Sequence, residues 1–92
     1  NTSVKTDAAG RIEINADYQA AAPHIYAAGD VCNRHNLTPV ALAEGHVLAD
    51  RLAGHMLGRK VDYEFIATAV FSQPPVGTVG LTEESARALG LD

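Results

Sequence analysis

The run from Ile25 to Asp30, together with the Thr38-Pro39 pair that follows it, restricts the fold more than any other feature. Ile25 to Ala28 is wholly apolar and predicts a strand covered on both faces, ending on the pair Gly29-Asp30. Thr38 as N-cap and Pro39 in the first helical position then predict the start of a helix. Such a unit presents a carboxylate and free backbone N–H groups, which together suit a hydroxyl group and an electron-rich acceptor atom of one extended ligand.

The predicted helix is long and amphipathic, and Gly58 is expected to be its C′ residue. Its apolar stripe is predicted to comprise Val40, Ala43, Val47, Leu48, Leu52 and Met56. The residues expected to face away from the core are Glu44, Asp50, Arg51 and His55.

The segments before this unit are predicted to form a hairpin and a connector. Val4 to Thr6 and Arg11 to Ile14 are short extended segments on either side of a turn at Asp7 to Gly10. Ala16 to Pro23 has no periodicity and predicts a connector that leads into the strand.

The rest of the chain predicts a second structural unit. Ala67 to Phe71 and Val76 to Gly80 have the composition of strands, and two prolines interrupt regular pairing between them. Thr82 is predicted to cap a helix that ends at Gly90, with Glu83 and Glu84 placed favourably for the helix dipole. The sequence therefore predicts an α/β (α+β) fold with a boundary at Arg59 to Glu64, giving domains 1–60 and 61–92.

The composition disfavours several functions. A net charge of -4 argues against nucleic acid and anionic membranes, and the longest apolar stretch is far shorter than the roughly 20 residues of a membrane span. The four histidines lack HxxxH spacing, so we predict no metal site. Cys32 is the single cysteine, is expected to be structural, and fits a reducing, cytoplasmic location.

The order of strand, Gly29-Asp30, loop and Thr38-Pro39 helix resembles the second flavin-contacting segment of the FAD-dependent pyridine nucleotide-disulfide oxidoreductases. The run VFSQPPVGTVGLTE, Val70 to Glu83, is similar to the opening of that family's interface domain, with the sequence typical of its glutathione reductase branch. The resemblance covers most of this chain but a fraction of the family's length. The glycine-rich fingerprint, the CxxxxC pair and the acid-base histidine lie outside it, so we expect a fragment without catalytic residues that is inactive alone.

The resemblance implies FAD and NADPH as cofactors and a homodimer in the full-length enzyme. It implies that Asp30 accepts a hydrogen bond from a ribityl hydroxyl of FAD and that Gly29 lets the backbone approach the cofactor. It also implies that Leu37, Thr38 and Pro39 direct the helix start at the pyrimidine oxygen of the flavin, where the helix dipole favours negative charge.

Two further positions carry implied contacts. Ala69 matches a family position whose backbone lies near the nicotinamide carboxamide. His46 matches an arginine that contacts a carboxylate of the disulfide substrate in several glutathione reductases, and a histidine lacks the bidentate guanidinium fork. Oxidised glutathione is the expected substrate. The alternatives are dihydrolipoamide dehydrogenase, mercuric reductase or trypanothione reductase within the family, and a non-enzymatic α+β interaction module outside it.

Overall fold

The computed structural model describes residues 2–32, 35–55 and 58–91. Two compact units are present, Asn1–Val61 and Asp62–Asp92. Their elements are a 3-10 turn at Gly29–Val31 (the Gly29 turn), helix α1 at Thr38–Leu52, strands β1 at Thr68–Val70 and β2 at Val76–Thr78, and helix α2 at Glu83–Ala88. Helices combined with a small antiparallel sheet confirm the predicted α/β (α+β) class. No helix in the described ranges is both long and apolar enough to cross a membrane.

The hairpin at the start of the first unit forms, with a single antiparallel bridge between Thr6 and Ile12. Asp7 closes its turn, because Oδ1 accepts two backbone N–H groups and Oδ2 accepts Nε–H of Arg11 at 2.8 Å. These bonds, led by the backbone N–H of Arg11, hold the pKa of Asp7 below its usual value. The N–H of Ile12 donates to the carbonyl oxygen of Val31 at 2.8 Å, which ties the hairpin to the Gly29 turn.

The segment Ala16 to Pro23 has no regular helix or strand, as expected of a connector, but it contributes three residues to the core. The buried apolar residues of the first unit are Tyr18, Ala20, Ala22, Ala27, Val40 and Val47. The carbonyl oxygen of Tyr18 accepts the N–H of Ala27 at 2.9 Å, and the Arg51 guanidinium lies 5.9 Å from the Tyr18 ring centroid. Arg51 also donates to Asp17, so the C-terminal half of α1 is fastened to this segment.

The apolar run before Asp30 is not a regular strand, contrary to the prediction. It makes one antiparallel bridge, between Tyr26 and Gln19. A strand needs a neighbouring ladder for its backbone groups, and the described part of the first unit supplies only this one partner. Tyr26 is exposed, so the expected burial of both faces is also wrong.

Helix α1 begins one residue earlier than predicted. Its N-cap is Leu37, whose side chain makes no capping hydrogen bond, and Thr38 is the first helical residue rather than the N-cap. The carbonyl oxygen of Leu37 accepts the N–H of Ala41 at 3.0 Å. Pro39 lies in the first turn, where its missing N–H has no intrahelical acceptor to lose.

The helix ends at Leu52, earlier than the predicted stop at Gly58. Gly54 has a φ of 74°, and its N–H donates to the carbonyl oxygen of Arg51 at 3.1 Å. The N–H of His55 donates to the carbonyl oxygen of Asp50 at 2.7 Å. This pair of bonds is the Schellman motif, for which a left-handed glycine is the favoured residue.

The predicted apolar stripe of α1 is partly confirmed. Val40 and Val47 are buried and Ala43 and Leu48 are half-buried, whereas Leu52 is exposed. Met56 lies outside the described residues. Among the residues expected to face solvent, His55 is exposed but Glu44 is only 2% exposed, so its predicted orientation is wrong.

The second unit follows its prediction closely. Strands β1 and β2 are antiparallel, with Thr68 opposite Thr78 and their hydroxyl oxygens 2.7 Å apart. The Thr82 hydroxyl accepts the N–H of Ser85 at 3.1 Å, which confirms the cap of α2. Gly90, with a φ of 72°, ends this helix as predicted.

Candidate cofactor site

The Gly29 turn packs closely against helix α1. The N–H of Gly29 donates to Oε2 of Glu44 at 2.7 Å, in a buried hydrogen bond that joins residues 15 positions apart. Gly29 has a φ of 77°, and a Cβ built on it would lie 3.2 Å from Cβ of Ala41. Both the backbone conformation and the close approach to the helix therefore favour glycine at this position.

Asp30 follows directly and presents an exposed carboxylate. In the described part of the chain, no group donates a hydrogen bond to this side chain. Its backbone is fixed by the Gly29 turn, since the N–H of Cys32 donates to the carbonyl oxygen of Gly29 at 3.1 Å. Asp30 is thus a charged acceptor on an anchored backbone, which suits a hydroxyl group of a ligand.

The N-terminus of α1 has the polarity of a helix start. The first N–H groups of a helix have no acceptor within the helix, and Pro39 in this turn has no N–H. The first turn holds no acidic side chain and the N-cap makes no side-chain hydrogen bond. The partial positive charge of this helix end is therefore not neutralised by the first turn, and an electron-rich atom is favoured there.

Glu44 is the important residue that the sequence analysis placed wrongly. It is buried on the face of α1 that packs against the Gly29 turn, and its carboxylate accepts the N–H of Gly29. The spacing of Val40, Glu44 and Val47 follows the i, i+4, i+7 pattern of a single helix face. This spacing predicts a buried position for Glu44, but its charge favoured the prediction that it faces solvent.

Cys32 lies beside this arrangement and has the properties of a structural residue. Its Sγ donates to the carbonyl oxygen of Gly29 at 3.4 Å, and the side chain is half-buried. Burial, followed by the negative charge of Glu44, raises the pKa of the Cys32 thiol. A raised thiol pKa reduces the thiolate fraction and hence the reactivity of the sulfur.

The remaining predicted site residues belong to other elements of the chain. His46 is exposed on α1, two residues beyond Glu44. Ala69 lies in β1 of the second unit, paired with Gly77 and exposed. In the described ranges, no three His, Cys, Asp or Glu side chains are grouped so that they could hold a metal ion.

The fold of the chain matches solved flavoprotein disulfide reductases. An HOCl-induced flavoprotein disulfide reductase, RclA from Escherichia coli, is 27% identical with a TM-score of 0.80, over 97% of this chain and 20% of that one. The Cu(II) complex of a cysteine-to-serine mutant of RclA is 30% identical with a TM-score of 0.89, over 100% of this chain and 21% of that one. The fold of the chain is thus that of a segment of a flavoprotein disulfide reductase.

The sequence is similar to one family of oxidoreductases. Residues 1–45 match the family described as Pyridine nucleotide-disulphide oxidoreductase. It is 51% identical over 86 residues to a chloroplastic/mitochondrial glutathione reductase of Pisum sativum, covering 94% of this chain and 15% of the relative. A glutathione reductase of Nostoc sp. is 53% identical over 77 residues, covering 84% of this chain and 17% of the relative. One from Yarrowia lipolytica is 41% identical over 86 residues, covering 91% and 18%. The chain thus spans less than a fifth of the length of these oxidoreductases.

Proposed function

We propose that the chain is a segment of an FAD-dependent glutathione reductase and supplies two of its contacts to FAD. The observation that carries this proposal is the attachment of the Gly29 turn to α1 through the 2.7 Å hydrogen bond from Gly29 to Glu44. This bond joins the turn that carries the exposed Asp30 carboxylate to a helix whose N-cap makes no side-chain hydrogen bond. Few ligands need both groups at once, and a flavin nucleotide is one of them because it carries hydroxyl groups next to an electron-rich ring.

The residues present fit FAD. Asp30 would accept a hydrogen bond from a ribityl hydroxyl, and the Gly29 backbone, which lacks a Cβ, would leave room for the cofactor. The α1 N-terminus at Leu37, Thr38 and Pro39 would face the pyrimidine oxygen of the flavin, with a stabilisation of about 0.3 to 2 kcal/mol for negative charge at a helix end. When bound, FAD supplies electron transfer between NADPH and a disulfide.

Other parts of the proposal depend on the full-length enzyme. We assign residues 1–60 to the end of an FAD-binding domain and residues 61–92 to the start of an interface domain that forms a homodimer. Ala69 would lie near the nicotinamide of NADPH, and His46 would face a carboxylate of oxidised glutathione. A cytoplasmic location stays a prediction, and the similar pea protein is named as chloroplastic/mitochondrial.

The glutathione reductase branch is supported by identities between 41% and 53% to three glutathione reductases from distant organisms. The RclA structures, at 27% and 30% identity, keep other disulfide reductases as the second candidate. Rates of NADPH-dependent reduction by the full-length enzyme with oxidised glutathione, lipoamide, mercuric ion and trypanothione disulfide distinguish these branches. Preference for any of the last three would contradict glutathione as the substrate.

Replacement of Asp30 tests the cofactor role. Asp30→Ala in the full-length enzyme removes a charge-assisted hydrogen bond worth about 1.5 to 3 kcal/mol, so FAD affinity should fall by about 10- to 150-fold. Flavin absorbance after dialysis, followed by titration of the apo-enzyme with FAD, measures the loss. Glu84→Ala is the matched control, because Glu84 is an exposed carboxylate in the other unit and should leave FAD binding unchanged. Equal flavin content and affinity in Asp30→Ala and its parent would refute the assignment.

A further inference from the structure

Glu44 is a charged residue in a place that is unfavourable for charge. It lies in the middle of α1 and is only 2% exposed, about as buried as Val47 on the same face. Removing a carboxylate from water is costly unless hydrogen bonds replace its hydration. An apolar residue would suit the position equally well for packing alone, so the carboxylate needs another explanation.

That explanation lies in the partner of its Oε2 atom. The N–H of Gly29 points into the interior, away from water, and Glu44 accepts it at 2.7 Å. This distance is at the short end of the range for charge-assisted hydrogen bonds. The carbonyl oxygen on the other side of Gly29 accepts the N–H of Cys32, so both backbone polar groups of Gly29 are paired.

The consequence is geometric. Asp30 is the next residue after Gly29, and Glu44 lies on the same rigid helix as Thr38. The bond from Gly29 to Glu44 therefore fixes the backbone of Asp30 relative to the N-terminus of α1. Without it, close packing of the turn against the helix would remain, and apolar packing has no directional preference.

We infer that Glu44 is a positioning residue for FAD: its carboxylate holds the Gly29 turn so that Asp30 and the N-terminus of α1 face the cofactor together. The inference rests on the proposed function, because it needs Asp30 to contact FAD. Glu44 itself touches the turn and acts on the cofactor through Asp30. Its contribution should therefore depend on whether Asp30 is present.

A double-mutant cycle in the full-length enzyme tests this dependence. The variants are Glu44→Leu, Asp30→Ala and the double variant, and the measured quantity is the FAD dissociation constant of each apo-enzyme from the change in flavin fluorescence on binding. Glu44→Leu should raise this constant about tenfold when Asp30 is present, since a hydrogen bond to a charged group is lost. In the Asp30→Ala background the same substitution should raise it less than about twofold, because coupled residues are not additive.

Two further variants separate positioning from general destabilisation. Glu44→Gln keeps an oxygen that can accept the N–H of Gly29, so its dissociation constant should lie closer to that of the parent than to that of Glu44→Leu. Val47→Ala removes a buried side chain one turn away on the same helix and leaves the hydrogen bond from Gly29 to Glu44 in place. It should lower the thermal unfolding temperature and change FAD affinity by the same factor in both backgrounds.

The outcomes distinguish the proposed FAD contact of Asp30 from the positioning role of Glu44. If Asp30→Ala alone leaves FAD affinity unchanged, the proposed function is refuted together with this inference. If Asp30→Ala weakens binding but Glu44→Leu does not, or weakens it equally in both backgrounds, only the positioning role is refuted. A Glu44→Gln variant as weak as Glu44→Leu would also overturn it. Should Glu44→Leu fail to fold by circular dichroism, the same cycle is measured with Glu44→Gln, whose smaller increase should again disappear when Asp30 is absent.

Discussion

Replacing Gly29 by alanine should weaken FAD binding in the full-length enzyme, for two reasons visible in the structure. The φ of Gly29 is 77°, and a left-handed backbone costs a residue with a Cβ about 1 to 2 kcal/mol. The new Cβ would also lie 3.2 Å from Cβ of Ala41, which is tighter than ordinary contact, and overpacking of this kind costs about 1 to 3 kcal/mol. The sum is about 2 to 5 kcal/mol.

This strain equals or exceeds the worth of the charge-assisted hydrogen bond from Gly29 to Glu44, about 1.5 to 3 kcal/mol, so the turn should move rather than stay in place. A displaced turn carries Asp30 with it, and loss of its charge-assisted bond to FAD would cost about 1.5 to 3 kcal/mol. The FAD dissociation constant of Gly29→Ala should therefore rise by about 10- to 150-fold. Titration of the apo-enzyme with FAD measures this change.

Gly10→Ala is a close control. Gly10 has a φ of 81°, nearly the same as Gly29, but a Cβ at this position would meet nothing within 4 Å. Gly10→Ala should lower the free energy of unfolding through the same backbone strain and leave the FAD dissociation constant unchanged. Adding Ala41→Gly to Gly29→Ala removes the close contact and should restore part of the affinity. Parental FAD affinity in Gly29→Ala would refute the geometry argued for the turn.

Two other residues give separate predictions. His46→Arg should lower the KM for oxidised glutathione severalfold near neutral pH, because a guanidinium is always charged and forms bidentate bonds to carboxylates. The matched control His24→Arg should leave the KM unchanged. An unchanged KM in His46→Arg would contradict the substrate contact. Cys32 should react slowly with iodoacetamide near pH 8, because its thiol pKa is raised, and Glu44→Gln should speed the reaction by removing a nearby negative charge. Mass spectrometry of the Cys32 peptide follows this rate, and a rapid reaction in the parent would contradict the raised pKa.

Local signals in the sequence predicted the second unit well. The Thr82 cap, the Gly90 stop and the two strands around Ser72 to Pro75 each depend on residues a few positions apart. Capping and turn chemistry act over such distances, so the sequence contains the information needed.

The predictions that failed depended on contacts between distant residues. Glu44 accepts the N–H of Gly29, 15 residues earlier, and although the helical spacing of Val40, Glu44 and Val47 indicated its face, no local signal indicated this partner. Tyr18 is buried with a φ of 62° because its backbone pairs with Ala27 and its ring lies under Arg51. The run from Ile25 to Ala28 has strand composition, but composition does not say whether a partner strand is beside it.

The role of the candidate site stays a prediction, and the sequence did not indicate what supports it. Gly29, Asp30 and the start of α1 were proposed from the sequence, and the structure joins Gly29 to that helix through Glu44. The choice of Thr38 as the cap failed by one residue. The difference of one residue is small for the fold. It matters for the site, because the N-cap is Leu37, whose side chain makes no capping hydrogen bond.

The most direct test of the central claim uses FAD analogues that lack one ribityl hydroxyl at a time. Each analogue is titrated into the full-length apo-enzyme, as the parent and as Asp30→Ala. One analogue should bind the parent about 10- to 150-fold more weakly than FAD, while Asp30→Ala should bind this analogue and FAD with nearly equal affinity, because the missing hydroxyl and the missing carboxylate belong to one hydrogen bond. If every analogue loses the same affinity in both proteins, Asp30 does not hold a ribityl hydroxyl, and the assigned cofactor contact is wrong.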